Sequence, residues 1–408
     1  MNILFVTHHR RFKTFARSAA WARELVSRGH AVTLLCLSDR RRLAWRVATG
    51  DGVTYAETPD LLFGSLRSGW DPVSAFRRWL FLRGRDFELV HAFETRPATI
   101  HPLLAWRRAH RTPLIIDWND WWGRGGLIVE QRPVLYRLLF GRVETWYEEH
   151  YRPRADATTV ISRELGERAE TLGVDRDTIY RIPGGVAVDR VQPLDPAPCR
   201  VALGIPADRF VVVLTALDVT GDAGLVFEAI RRVVRQHPDV LLVMSGHRGP
   251  SLEHQARRLG LEANFRHVGY LPADALPGVL GCADVFALPL ADSPANRGRW
   301  PHKMGDYLAA GRPTVANPVG EIGRLFASDA VGLTAGFDPD DFADKLCRLK
   351  RDPALRTTLG ATARRVAVDR FAWPVIVDRL EACYAATLAR KATASAPRRH
   401  LAATTDAC

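Results

Sequence analysis

"NILFVTHHRRFKTFARSAAWARELVSRGHAVTLLCL", residues 2–37, decides the fold. Residues 2–8 and 31–37 are apolar runs of strand length; between them residues 14–30 place apolar side chains at helical spacing and close on Gly29. Strand, helix, strand in that order is a parallel βαβ unit. Both runs are continuous rather than alternating, as expected of strands covered on both faces.

Working outward, "FELVHAF" (87–93), "TPLIIDW" (112–118) and "ATTVIS" (157–162) repeat the pattern, separated by helical stretches. The proline-rich "VQPLDPAPCR" (191–200) interrupts it as a linker. A second series follows at 210–217, 240–246, 264–270, 283–290 and 313–318. The expected architecture is α/β, with two Rossmann-like, doubly wound parallel-sheet domains facing a cleft, which suits 408 residues. Their expected bounds are 1–193 and 194–372, followed by a helix at 373–390 crossing back to the first domain and a small, polar, disordered tail at 391–408. Ligands of such sheets sit beyond the carboxyl ends of the strands. The first such loop, "HHRRFKTF" (8–15), lacks GxGxxG, which argues against a dinucleotide-dependent oxidoreductase.

Composition narrows the partners. With 47% apolar and 25% charged residues the chain reads as an ordinary globular protein, while its net charge of +12 points to anionic partners. Only five of the 57 basic residues are lysines, so part of that charge reflects arginine usage as such. The six cysteines are scattered, without CxxC or clustered histidines, so a reduced chain without a zinc site is expected. No apolar run reaches the ~18 residues of a membrane span. The chain opens directly on a strand pattern rather than a secretory leader. The expected location is cytoplasmic, or peripheral at the inner face of a membrane.

Several segments together resemble the retaining glycosyltransferases of family 4, which have the GT-B fold. "ADATTVISRELGERAETLGVDRDTIYRIPGGVAVDRVQP" (155–193) resembles that family's strand, serine, helix and "IPNGVD", with Gly184 where asparagine is usual. "VLLVMSGH" with "NFRHVGYLPADALPGVLGCADVFALPL" resembles the base-contacting segment, and "DYLAAGRPTVANPVGE" (306–321) resembles "EAMACGxPVVAxxxGG". The closing helices are matched by "GLTAGFDPDDFADKLCRL" and "DPALRTTLGATARRV". The resemblance implies a nucleotide-sugar donor (UDP, GDP or dTDP linked) bound by the second domain, an acceptor bound by the first, and no cofactor or metal. This sequence also departs from the pattern. The glycine pair of the first loop is replaced by His8, His9, Arg10 and Arg11, and "TALDVTGDAG" (215–224) lacks the arginine and lysine that clamp the diphosphate. Of two glutamates eight positions apart, only Asp306 remains; counting back eight gives Gly298.

Site residues follow from what a sugar nucleotide needs. A helix over 301–310, with Pro301 in its first turn and Gly311 at its end, presents free amides to phosphate. Arg297, Arg299, His302 and Lys303 precede or open it and are read as a substitute clamp; the plain alternative is a solvated basic loop in which Lys303 pairs with Asp306. Asp306 is the ribose acceptor implied by the resemblance, or a plain helix-surface acid, and Gly269, Tyr270 and Leu271 are expected to contact the base, an ordinary turn being the alternative. Counting forward from Pro289 puts the first acidic position near Asp292 or Ser293. In "DWNDWWGRGG" (117–126), Trp118 and Trp121 offer faces for sugar stacking, and Asn119 and Asp120 are assigned to the cleft; an aromatic core corner is the alternative. Glu94 and Glu321 follow strands and are cleft acids or helix-start acids. His8, His9 and Arg10 complete the acceptor side.

The acceptor class is a glycan, a lipid-linked saccharide or a small natural product. Arginine interleaved with tryptophan and leucine at 40–47, 76–85, 103–110 and 135–142 suits an anionic membrane surface, or ordinary amphipathic helices. The rival function is a degenerate GT-B protein that binds a nucleotide sugar or a partner without turnover. No nucleic-acid module is recognisable, so nucleic acid is not an expected partner.

Overall fold

A computed structural model describes residues 1–11, 15–40, 43–60, 68–215, 222–246, 249–270, 272 and 274–395. The first sheet comprises β1 (Asn2–Arg10), β2 (Ala31–Leu37), β3 (Arg46–Gly50), β4 (Val53–Thr58), β5 (Leu89–Phe93), β6 (Leu114–Trp118), β7 (Ala157–Val160) and β8 (Ile179–Arg181). Their order is β3-β4-β2-β1-β5-β6-β7-β8, parallel except for the β3–β4 edge hairpin. It is wrapped by α1 (Ala16–Ser27), α2 (Pro72–Leu82), α3 (Pro97–Arg107), α4 (Leu127–Gln131), α5 (Val134–His150) and α6 (Arg163–Thr171).

The second sheet holds β9 (Phe210–Thr215), β10 (Val240–Ser245), β11 (Phe265–His267), β12 (Val285–Leu288), β13 (Thr314–Ala316) and β14 (Gly332–Thr334). Its order is β11-β10-β9-β12-β13-β14, all parallel. Its helices are α7 (Pro196–Ala202), α8 (Ala223–Gln236), α9 (Gly249–Arg258), α10 (Leu276–Gly281), α11 (Pro294–Gly298), α12 (His302–Ala309), α13 (Gly320–Ser328), α14 (Pro339–Arg351) and α15 (Pro353–Val366). Every residue of β5, β6, β9, β10 and β12 is buried, which is why these strands read as unbroken apolar runs. The winding reverses between β1 and β5 and again between β9 and β12, and each reversal opens a crevice at the carboxyl ends.

The last helix, α16 (Trp373–Ser395), returns to the first domain, where Ile376, Val377, Leu380 and Tyr384 share a core with Ile3 and Trp21. It continues past residue 390, where the sequence pattern ended it; residues 396–408 of the expected disordered tail lie outside the described residues. A buried polar chain ties it in: Tyr384 OH lies 2.8 Å from His91 Nδ1, His91 Nε2 lies 3.2 Å from Thr159 Oγ1, and Thr159 donates to Asp117 at 2.6 Å. Asp117 takes a two-armed ion pair from Arg17, whose remaining donors reach the carbonyls of Ile182 (2.7 Å) and Pro183 (3.0 Å). The segment leading to the second domain is thereby held by the first.

Candidate active site

α12 is fixed at the second crevice by Tyr307. Its ring stacks on Phe286 of β12 at 4.0 Å, and its hydroxyl accepts from the Thr215 amide (2.8 Å) at the end of β9. Lys303, four residues earlier, shares that helical face. Pro301 stands just before the helix with φ −65°, and Gly311 follows it at φ +66°, the left-handed geometry that glycine adopts freely. Burial pushes the Asp306 carboxyl up to about 7 against the opposing charge of Arg190. Burial and then Arg299 push the Lys303 ammonium down to about 8, with Asp222 opposing. The His302 imidazole is open to solvent yet hemmed in by protein, which, with Arg17, holds it at about 4.

The facing wall comes from the ends of β1, β5 and β6. Glu94 sits at φ +71°, costly for a side chain with a Cβ, and burial raises its carboxyl to about 8, with Glu148 and Asp120 adding to the rise and Arg152 opposing it. Asp120 is raised to about 6 by burial, and the charge of Arg299 in the second domain is the largest influence pulling it back. Asn119 donates to Asp120 at 3.3 Å. His8 and His9 stack with centroids 4.0 Å apart, and burial lowers both, His9 to about 3. They are neutral at physiological pH and offer hydrogen bonds rather than charge. Arg10 lies half-buried at the end of β1.

Five expected site residues have other employment. Arg297 and Asp292 form a two-armed ion pair (2.6 and 2.7 Å) with each other and border a pocket of about 650 Å³ together with Asn317, Gly320 and Arg324. Trp118 is fully buried; its Nε1 donates to Glu148 at 3.0 Å and Arg152 lies 3.8 Å over its ring, so no sugar can stack there. Trp121 is covered by Arg168 at 4.0 Å and packs against Gly298 between the domains. Glu321 is buried as an interdomain tie, accepting from the Arg163 amide at 2.7 Å and pairing with Arg324 at 3.2 Å. Tyr270 is 56% exposed, beside Gly269 at φ +77°. Leu271 and residues 216–221, where the clamp residues were sought, lie outside the described residues.

Two departures from the family pattern share one cause. A Cβ on Gly298 would lie 2.8 Å from Trp121 Cβ, and a Cβ on Gly184 would lie 2.4 Å from Trp300 Cδ1. Each glycine makes room for an indole, so the first glutamate cannot return at position 298 without displacing Trp121.

The site also uses residues that the sequence did not single out. Glu148 accepts from the amides of Trp122 (2.7 Å) and Gly123 (2.6 Å) as well as Trp118, so it fixes the loop carrying Asn119 and Asp120. Arg96 donates to the Ser68 carbonyl at 2.7 Å and depresses His8 and His9. Asp222 takes a hydrogen bond from Asn296 at 3.3 Å and faces Lys303. Arg96 adjoins Glu94 and was open to notice; Glu148 and Asp222 carry no local signal. Among the described residues no group of three or more His, Cys, Asp or Glu is placed to hold a metal ion.

Two doubly wound domains with their crevices facing define the GT-B class. Residues 18–190 match the model of Glycosyltransferase Family 4 and residues 211–352 that of Glycosyl transferases group 1, together most of the chain. The chain thus carries a family 4 domain followed by a group 1 domain, the pairing of GT-B glycosyltransferases of the family 4/1 type. It is 27% identical over 255 residues to a D-inositol 3-phosphate glycosyltransferase of Kribbella flavida, covering 58% of each chain. It is 28% identical over 230 residues to a GDP-mannose-dependent alpha-(1-6)-phosphatidylinositol monomannoside mannosyltransferase of Mycolicibacterium smegmatis, covering 54% of this chain and 59% of that one. The matches thus span under three fifths of these relatives' lengths. Anabaena HepE, solved with UDP and glucose, superposes with a TM-score of 0.70 at 17% identity, over 95% of this chain and 100% of that one, a likeness of fold.

Proposed function

We propose that the chain transfers a sugar from a nucleotide-sugar donor (UDP, GDP or dTDP linked) to an acceptor hydroxyl with retention of configuration. The observation that carries this is the placement of Lys303 and Asp306 on adjacent turns of α12 at the second crevice, with the charge of Arg299 acting on Asp120 of the opposite wall. Lys303, Arg299 and the free amides of α12 meet the diphosphate, and Asp306 accepts from the ribose diol. These charges stand where other enzymes place a cation, so no metal is required. With position 298 closed by Trp121, Asp120 is the carboxylate left to orient the sugar hydroxyls.

In the reaction the bond from the anomeric carbon to the diphosphate oxygen breaks and a bond to the acceptor oxygen forms on the same face. The acceptor's proton passes to the departing diphosphate oxygen, so no protein nucleophile is needed. Glu94, His8 and His9 line the acceptor side and position the incoming hydroxyl. The named relatives support a phosphorylated or lipid-borne acceptor, alongside glycans and small natural products, and an anionic membrane surface at the cytoplasmic face suits the +12 charge.

The test is a panel of nucleotide sugars with the wild type, reading donor hydrolysis and, by NMR, the anomer of any product. Turnover of one donor with a retained anomer is expected. Nucleotide binding without turnover of any donor, with acceptors of all three classes supplied, would support the degenerate binder, and an inverted product would overturn the retaining mechanism.

A further inference from the structure

α5 is built inside out. Its buried face carries acids: Glu148 holds the loop behind Asp120, and Glu144 accepts from the Tyr136 hydroxyl at 2.9 Å and from Trp122 Nε1. Its outward face carries Val134 (62% exposed), Leu135 (69%), Leu138 (76%), Leu139 (62%), Val143 and Trp146. Of the seventeen large apolar side chains exposed among the described residues, eight lie within Val129–Trp146; the rest are scattered or paired, as on ordinary surfaces. Gly141 leaves a groove of about 840 Å³ between α4 and α5, bordered by Ile128, Leu138 and Arg142. A helix that spends its acids inward and its leucines outward leaves that apolar face for something outside the chain.

The surrounding charge says what covers it. Arg124, Arg137 and Arg142 rim the groove, and its one bordering acid, Glu149, is paired with Arg168 and Arg124. Apolar side chains flanked by Arg137 and Arg142, which have no acidic partner among the described residues, match the interface of an anionic bilayer, where leucines enter the acyl boundary and guanidinium groups meet phosphate. Among the described residues no helix is long and apolar enough to cross a membrane, so contact by this face is lateral.

We propose that the outward face of α4 and α5 docks the protein on an anionic lipid surface, with the loop of Asn119 and Asp120 directly behind it. An acceptor borne on that surface would then reach the cleft without leaving the bilayer plane. The docking itself does not depend on the glycosyl-transfer reading.

Sedimentation of the full chain with vesicles tests this, comparing phosphatidylcholine alone with phosphatidylcholine containing phosphatidylglycerol. Binding to the anionic vesicles only, weakened by added salt, is expected. Leu135→Glu with Leu138→Glu should lower the partition coefficient more than about tenfold, since two leucines leave the acyl boundary. Arg137→Gln and Arg142→Gln should each cost about fivefold. Circular dichroism and nucleotide binding, unchanged in these variants, separate lost docking from lost folding or a failed donor site. No binding by the wild type at low salt, or equal binding by the double leucine variant, overturns the proposal. So does a wild-type dimer that the leucine variant converts to monomer without vesicle binding by either, which would assign the face to a second copy.

Discussion

At the scale of single residues, the site holds its charges under strain. Glu94 combines a left-handed backbone with a carboxyl raised to about 8. A raised carboxyl pKa means that the fold disfavours the ionised form. The cost is absent below the unfolded value near 4.5, where both states hold the proton, and grows as pH rises toward about 8. Glu94→Gln is therefore expected to raise the melting temperature at about pH 8.5 and leave it nearly unchanged at about pH 4, while lowering transfer. Glu94→Gly should add about 1 kcal/mol at neutral pH by relieving the backbone, measurable by urea unfolding. Nucleotide binding should follow a bell. Asp306 ionises above about 7 and Lys303 discharges above about 8, so affinity should peak between these values and fall on both sides. A flat calorimetric profile from about pH 6 to 9 would remove both residues from the donor site.

At the scale of elements, two side chains do most of the positioning. Tyr307→Phe leaves the buried Thr215 amide without its acceptor, which should cost about 1–2 kcal/mol and weaken nucleotide binding through misplacement of Lys303. Glu148→Ala should cost about 3 kcal/mol or more, because three donors and Arg152 lose their partner. It should also lower transfer through the freed loop of Asp120. The elements themselves were largely legible. Continuous apolar runs marked the buried strands, and proline and glycine framed α12 within one residue. The β3–β4 hairpin also had its signal, an Asp51-Gly52 pair that adopts positive φ at both positions, but its exposed edge strand β3 lacks an apolar run. Site assignments made by sequence proximity fared worse. Arg297 lies two residues from Arg299 but is engaged by Asp292, and Trp118 belongs to the strand interior although Asp120 reaches the cleft. Which side of a short helix or loop a residue takes depends on packing partners far away in sequence, such as Glu148 and Gly298.

At the scale of the whole molecule, polar ties join the two domains beside a shared apolar core that runs from Trp118, Ile161 and Leu165 to Trp300 and Met304. Ser162 donates to the Gly298 carbonyl at 2.8 Å, Ser293 to Glu130 at 3.0 Å, and Glu321 accepts from Arg163. Trp121 fills the joint against Gly298. Glu321→Ala is expected to leave each domain folded, increase the radius of gyration in X-ray scattering, and raise KM for the donor more than it lowers kcat. An unchanged scattering profile would show that the apolar contact at Trp121 suffices to hold the domains together. The overall architecture needed no structure to foresee, because two series of βα units separated by a proline-rich segment admit few alternatives; the closeness of Arg299 to Asp120 across the joint did.

The claim that matters most is that α12 grips a nucleoside diphosphate. Isothermal titration of UDP, GDP and dTDP into wild type, Lys303→Ala and Asp306→Ala tests it directly. One nucleotide should bind the wild type and lose at least about tenfold in affinity with each variant, the worth of a single charge-assisted contact. Failure of all three nucleotides to bind the wild type, or full retention of binding by both variants, would contradict it.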